Sequence, residues 1–137
     1  MAGESGDRLK VLIEPPAEEA IIEGDRYRLL QVVRNLLSNA FKYSGPDTPV
    51  ELRVDATPTT VSLTVLDRGP GISPSDLPLL FRPFSRLQGA HMVSGSGLGL
   101  YISKKIVEAH QGELEADTAP GEGSAFRVVL PRADQLP

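Results

Sequence analysis

The chain has no cysteine and no tryptophan among its 137 residues. The first absence excludes a disulfide framework, a thiolate metal site and a cysteine nucleophile, and it fits a reducing compartment. No apolar run approaches the ~20 residues that cross a bilayer, and the N-terminus lacks the basic-then-apolar order of a secretory signal. Positive charge is also in short supply. A formal net charge of -4 leaves no basic footprint for nucleic acid, so any phosphate bound here must be held by local backbone N–H groups and a few placed cations. What remains, 40% hydrophobic residues, suffices for one domain with one core.

Residues 1–7, M-A-G-E-S-G-D, are small, polar and aperiodic and read as a linker stub or cloning scar; residues 8–132 read as one domain and 133–137 as a polar tail. Four segments alternate with the period of half-buried strands: Val50-Leu52-Val54-Ala56, Val61-Leu63-Val65, Leu114-Ala116 and Phe126-Val128-Leu130, each against polar neighbours such as Ser62 and Thr64. Residues 9–14 add a candidate edge strand. One wet face per strand predicts a mostly antiparallel sheet covered on one side. A helix is expected from Arg26 to Tyr43 with Asp25 as N-cap. At about 100° per residue its apolar face comprises Leu29, Leu30, Val33, Leu36, Leu37, Ala40 and Phe41, opposite Arg28, Gln31, Asn35, Ser38, Asn39 and Lys42. A second runs from Gly97 to Gln111, apolar at Leu98, Tyr101, Ile102, Ile106 and Ala109, with Gly112 as its stop. A short helical piece follows Pro74. The expected fold is an α+β two-layer sandwich, with about three helices on one face of a mixed, mostly antiparallel sheet.

Five stretches could carry chemistry. In N-L-L-S-N-A-F-K-Y, residues 35–43, Asn35, Asn39 and Lys42 share one helix face. Such a face is either a solvated surface or a place where neutral amide oxygens meet Mg²⁺ and a lysine meets phosphate. In V-L-D-R-G-P-G-I, residues 65–72, Asp67 is in phase with Val61, Leu63 and Val65, so its carboxylate points toward the apolar layer and needs a donor. That donor is either a turn N–H or a ligand's exocyclic amine, with Gly69 and Gly71 allowing a flat base to approach. F-R-P-F, residues 81–84, reads first as a core anchor, and residues 84–95 after it as a mobile lid. G-S-G-L-G-L, residues 95–100, fits neither the G-x-G-x-x-G nor the G-x-x-x-x-G-K-[ST] phosphate template. It is either a hinge or a cradle at a helix N-terminus. G-E-G-S-A-F, residues 121–126, has the simple reading of a hairpin turn.

Taken in order, these stretches are similar to the N, G1, F, G2 and G3 boxes of the catalytic and ATP-binding domain of sensor histidine kinases, in the superfamily shared with gyrase-type ATPases and known as the Bergerat fold. The resemblance covers residues 35–126. It implies Mg²⁺ at Asn39 assisted by Asn35, phosphate at Lys42, an adenine pocket walled by Tyr43, and the adenine amine on Asp67 with Gly69, Gly71 and Ile72 beside the base. It further implies ATP phosphates wrapped by Gly95, Ser96, Gly97, Leu98, Gly99 and Leu100, with Arg86 near the γ-phosphate or partner domain and Ser124 near the nucleotide. Hydrolysing relatives carry glutamate where this chain has Asn35, and an amide cannot take a proton from water. Neither His91 nor His110 lies in a phosphoacceptor motif. The resemblance therefore implies a cytoplasmic, monomeric module that passes the γ-phosphate of ATP to a histidine on a separate dimerisation domain, within a soluble or membrane-anchored parent. A response regulator would act downstream; neither nucleic acid nor membrane would touch the module itself. A degenerate nucleotide-sensing or protein-binding module and an anti-sigma-factor serine kinase are the rival readings.

Overall fold

The four strands expected from period-two alternation and the candidate edge strand form a five-stranded sheet in a computed structural model that describes residues 9–13, 19–44, 48–72, 75, 77–82, 99–118 and 121–133. In chain order the elements are β1 (Leu9–Ile13), α1 (Arg26–Tyr43), β2 (Val50–Ala56), β3 (Thr60–Asp67), α2 (Leu77–Leu80), α3 (Gly99–Ala109), β4 (Glu113–Thr118) and β5 (Ser124–Pro131). The sheet order is β1-β2-β3-β5-β4. β1 runs parallel to β2, and every other pairing is antiparallel. The residues 9–14 expectation thus holds over 9–13, as an edge strand.

Alternation selects one face for the core. Val50, Val65, Leu114, Phe126, Val128 and Leu130 are buried beneath the helices, with Leu52, Leu63 and Ala116 partly buried on the same side. The other face is less uniformly wet than the alternation implies. Ser62 is fully buried there, and the Arg127 guanidinium donates to its Oγ at 3.4 Å. A long side chain from the neighbouring strand can cover a short one while its own charge stays in water.

α1 has the bounds its pattern predicts. Asp25 takes extended backbone angles, φ -80 and ψ 107, and its side chain accepts the N–H groups of Tyr27 and Arg28 at 3.0 and 3.1 Å. Such a cap stabilises a helix by about 1 kcal/mol. The buried stripe, however, is Val32-Leu36-Ala40 with Leu29 partly buried, while Leu30 stays 40% exposed. The stripe is therefore rotated toward the asparagines: Asn35 and Asn39 flank it and are half-buried rather than facing away. The cause is α3, which packs along that flank of α1.

α3 starts at Gly99 and buries Leu100, Ser103, Ile106 and Val107. Tyr101 and Ile102 are half-buried and Ala109 is exposed, and the helix packs on both α1 and β4. Its end also differs from expectation. Gln111, with φ 63, takes the left-handed position, while Gly112 N–H caps the Val107 carbonyl at 3.0 Å. A Cβ on Gly112 would overlap the Val129 carbonyl oxygen, so this glycine serves close packing against β5. His110 then ties the two helices. Its Nε2 accepts the Asp25 N–H at 3.0 Å while Nδ1, 2.7 Å from the Ile106 carbonyl oxygen, carries the proton. His110 is structural.

At the C-terminal side, Arg132 is buried and donates from Nη1 to the Thr57 carbonyl at 3.0 Å, closing the chain over the β2–β3 turn. Among the described residues no helix is long and apolar enough to cross a membrane.

Candidate functional site

The site is built from two groups of residues resting on one core. The first lies where α1 meets α3. Asn35 Nδ2 donates to the Gly99 carbonyl at 3.3 Å and to Ser103 Oγ at 3.2 Å, and Ser103 itself is fully buried. The asparagine face of α1 is thus bound to the root of the glycine-rich segment. A glutamate at this position would turn two acceptors toward a carbonyl oxygen, whereas the amide supplies the donor. Asn39 follows one turn later, half-buried, and Lys42 is exposed in the last turn. Tyr43 is the last residue of α1. Leu100 enters the core beside the helix start and is buried together with Leu36, Ala40 and Ile72.

The second group lies at the end of β3. Asp67 is 8% exposed, as its phase predicts, and Oδ1 accepts the Gly69 N–H at 2.8 Å. Burial holds its carboxyl above the usual aspartate value of 3.8, opposed by backbone hydrogen bonds from Gly69 and Ser124. The turn reading and the ligand reading of Asp67 are compatible, since a carboxylate has about four acceptor sites and the turn uses only some of them. Gly71 takes φ 75, a conformation that admits glycine without strain, and delivers Ile72 into the core.

The stretch 121–126 does close the β4–β5 hairpin, yet it also packs on this group. Gly121 N–H donates to the Pro70 carbonyl at 2.6 Å, and Ser124 pairs with Asp67 in the β3–β5 register. Gly123 has φ +79, and a Cβ there would overlap the Asp67 carbonyl oxygen. Thr118 joins both loops: its Oγ1 accepts the Ile72 N–H at 2.8 Å and donates to the Gly123 carbonyl at 3.0 Å. The motif reading missed this residue. The available signal was its phase, since Thr118 continues the Leu114-Ala116 row and so places a hydroxyl on the buried face, where it needs partners. A cleft of about 290 Å³ at this end of the sheet is lined by Asp67, Thr118, Gly123 and Ser124 together with Leu66, Asp117, Glu122 and Ala125, so it reaches round to the outer face of the sheet.

Phe81, from F-R-P-F, packs partly buried against the core with the Lys104 ammonium 4.9 Å from its ring centre. That fits the anchor reading. Arg86, Gly95, Ser96, Gly97 and Leu98, together with the lid expected over 84–95 and His91 within it, lie outside the described residues.

The arrangement offers a buried carboxylate with acceptor capacity beyond its turn bond, neutral amides and a lysine along one helix, and a helix N-terminus. Comparison with known proteins gives this chemistry a family. The model of the "Histidine kinase-, DNA gyrase B-, and HSP90-like ATPase" family matches residues 24–134. The sensor histidine kinase MtrB of Mycobacterium tuberculosis is 40% identical over 133 residues, 96% of this chain and 23% of that protein. A probable sensor histidine kinase of the same organism, TcrY, is 40% identical over 87% of this chain and 25% of its own length. The chain thus spans about a quarter of the length of these relatives. Among solved structures, the mycobacterial sensor histidine kinase MprB superposes with a TM-score of 0.84 at 35% identity, covering 96% of this chain and 88% of that one. Full-length ShkA in complex with AMPPNP superposes at 0.77 with 26% identity, covering 97% and 28%. The chain belongs to the histidine kinase-, DNA gyrase B- and HSP90-like ATPase family, as a catalytic domain of the sensor histidine kinase kind.

Proposed function

We propose that this chain binds Mg-ATP and positions its γ-phosphate for transfer to a histidine on a separate dimerisation domain of the same kinase. The observation that carries the reading is Asp67: a buried carboxylate at a strand end, backed by the Gly69 and Ser124 N–H groups, with acceptor capacity left for an exocyclic amine. Asn39 and Lys42 follow on α1, one turn apart, where an amide oxygen and an ammonium suit the metal and the phosphates. Among the described residues no three His, Asp or Glu side chains gather into a metal cage. Mg²⁺ is commonly held by one or two protein ligands plus substrate phosphates. When bound, Mg²⁺ would neutralise charge developing on the phosphate oxygens.

The chain's own residues supply positioning. Asp67 fixes the base, and the first N–H groups of α3, from Gly99 onward, face an anion at the helix start. Asn35 holds that start against α1 through the Gly99 carbonyl, and offers no base to activate water. ATP is therefore kept for an incoming imidazole, in a loose or associative in-line transfer. The partners that follow are the phosphoacceptor domain and, downstream, a response regulator. The module itself acts as a monomer in the cytoplasm, without contact to nucleic acid or membrane.

Mixing the chain with a cognate dimerisation domain and γ-labelled ATP tests this. The expected product is a labelled partner whose phosphate is lost in acid and kept in alkali, as for a phosphohistidine. An acid-stable label would point to a hydroxyl acceptor. ATP binding without any label would point to a nucleotide sensor instead.

A further inference from the structure

The Thr118 hydroxyl makes more bonds than it has protons, and this sets the polarity of its neighbour. Its Oγ1 meets the Ile72 N–H at 2.8 Å, the Gly123 carbonyl at 3.0 Å and Ser124 Oγ at 2.9 Å. A threonine hydroxyl has one proton and two lone pairs. The carbonyl can only accept, so it takes the proton. The Ile72 N–H can only donate, so it takes one lone pair. All three contacts are then satisfied together only when Ser124 donates its own proton to the remaining lone pair. Ser124 is left presenting acceptor lone pairs and no hydrogen. It sits across the β3–β5 register from Asp67, on the same buried face. Two acceptors therefore stand side by side at the end of the sheet.

We infer that Thr118 is a specificity-determining positioning residue: by holding Ser124 as an acceptor beside Asp67, it selects a base edge bearing a primary amine over one bearing a carbonyl. The inference rests on the nucleotide reading above and deepens it. An exocyclic amine has two hydrogens and can serve two acceptors directly. A carbonyl oxygen in its place meets lone pairs on both sides. Were the Ser124 hydroxyl free to rotate, it could turn its proton toward such a carbonyl and soften the discrimination. Thr118 removes that freedom. It also joins the loop that carries Ile72 to the turn that carries Gly123, so the two walls of the site move together.

The test is calorimetric titration of ADP and of GDP, in Mg²⁺ buffer, into the wild-type chain and into T118V, T118S, S124A and the T118V/S124A double variant. T118V keeps the side-chain outline and removes the hydroxyl. It should weaken ADP binding by about 5- to 10-fold, the scale of one hydrogen bond, with GDP binding little changed, so that the preference narrows. T118S should restore the wild-type ratio, and the double variant should lose no more than either single one, because both changes remove the same acceptor. Equal weakening of ADP and GDP by T118V, or additive losses, would assign Thr118 a purely structural part and overturn the inference. Should T118V not fold, S124A decides the matter: a narrowed preference supports the inference and an unchanged one overturns it. A wild-type chain that binds ADP and GDP alike would instead contradict the nucleotide reading itself.

Discussion

Asp67→Asn is expected to weaken adenine-nucleotide binding by about 10- to 100-fold while the chain still folds, the scale of a lost hydrogen bond to a charged group. The selectivity of the effect comes from the turn. Gly69 N–H already holds one side-chain oxygen at 2.8 Å, so an asparagine would keep its carbonyl there and turn its NH₂ outward. A donor would then meet the donor of the ligand amine. Folding should suffer little, because two changes oppose each other. The variant loses an acceptor for the second backbone N–H, and it also removes a carboxylate whose burial is unfavourable. The pH dependence gives the sign. Burial raises the Asp67 pKa above 3.8 in the folded chain, so the folded state binds its proton more tightly than the unfolded one. Stability linked to this group is then greatest below 3.8 and falls as pH rises from there through the folded value. Thermal melts across acid pH should show this fall in the wild type and a flatter profile in Asp67→Asn. A steeper acid loss in the variant would mean that the carboxylate stabilises the fold instead.

The second large effect concerns Gly123→Ala. At φ +79 an added Cβ would overlap the Asp67 carbonyl oxygen and lie 3.0 Å from Arg68 Cα, all of it backbone in a paired strand and its turn. The left-handed conformation costs a non-glycine residue about 1 to 2 kcal/mol, and displacing packed backbone adds about 1 to 3 kcal/mol. A loss of roughly 3 kcal/mol in urea unfolding is expected on that sum. Gly121 is the internal control. It has nearly the same angle, φ +80, but among the described residues nothing lies within 4 Å of its Cβ position, so Gly121→Ala should lose only the conformational part, about 1 kcal/mol. Equal losses at the two glycines would contradict the view that the G-E-G-S turn is pressed against Asp67.

The linear sequence reveals some of these features and conceals others. The phase of Asp67 with Val61, Leu63 and Val65 is a local property of one strand, and a strand's period places its side chain with certainty enough to foretell burial. Helix periodicity is weaker evidence of the same kind. It located α1 from Arg26 to Tyr43, but it could not say how the helix is rotated against neighbours, and α3 draws the buried stripe from Leu30 toward Val32 and the asparagines. Residues that look solvated from periodicity alone, Asn35 above all, prove to lie at a helix–helix seam. Gly112 illustrates a different limit. The sequence marks the end of α3, yet whether a glycine is needed for its φ or for its missing Cβ depends on β5, far along the chain. Thr118 is a third case. Its row is legible, but its partners at Ile72, Gly123 and Ser124 come from two loops that only the folded sheet brings together.

The functional residues divide along the same line. The resemblance gives Asn35, Gly99, Asp67 and Ser124 separate ligand roles and pairs none of them; in the fold Asn35 donates to the Gly99 carbonyl and Ser124 stands across the β3–β5 register from Asp67. The amide of Asn35 is a donor to the root of the glycine segment, a role independent of whether a metal is present.

The most direct test of the central claim, that this chain takes an adenine nucleotide at Asp67, is calorimetric titration of the wild-type chain with ADP and with GDP in the presence of Mg²⁺. ADP should bind at least ten-fold more tightly than GDP, the order expected when a site built for an amine meets a carbonyl. Equal affinities, or no heat with either, would contradict the account.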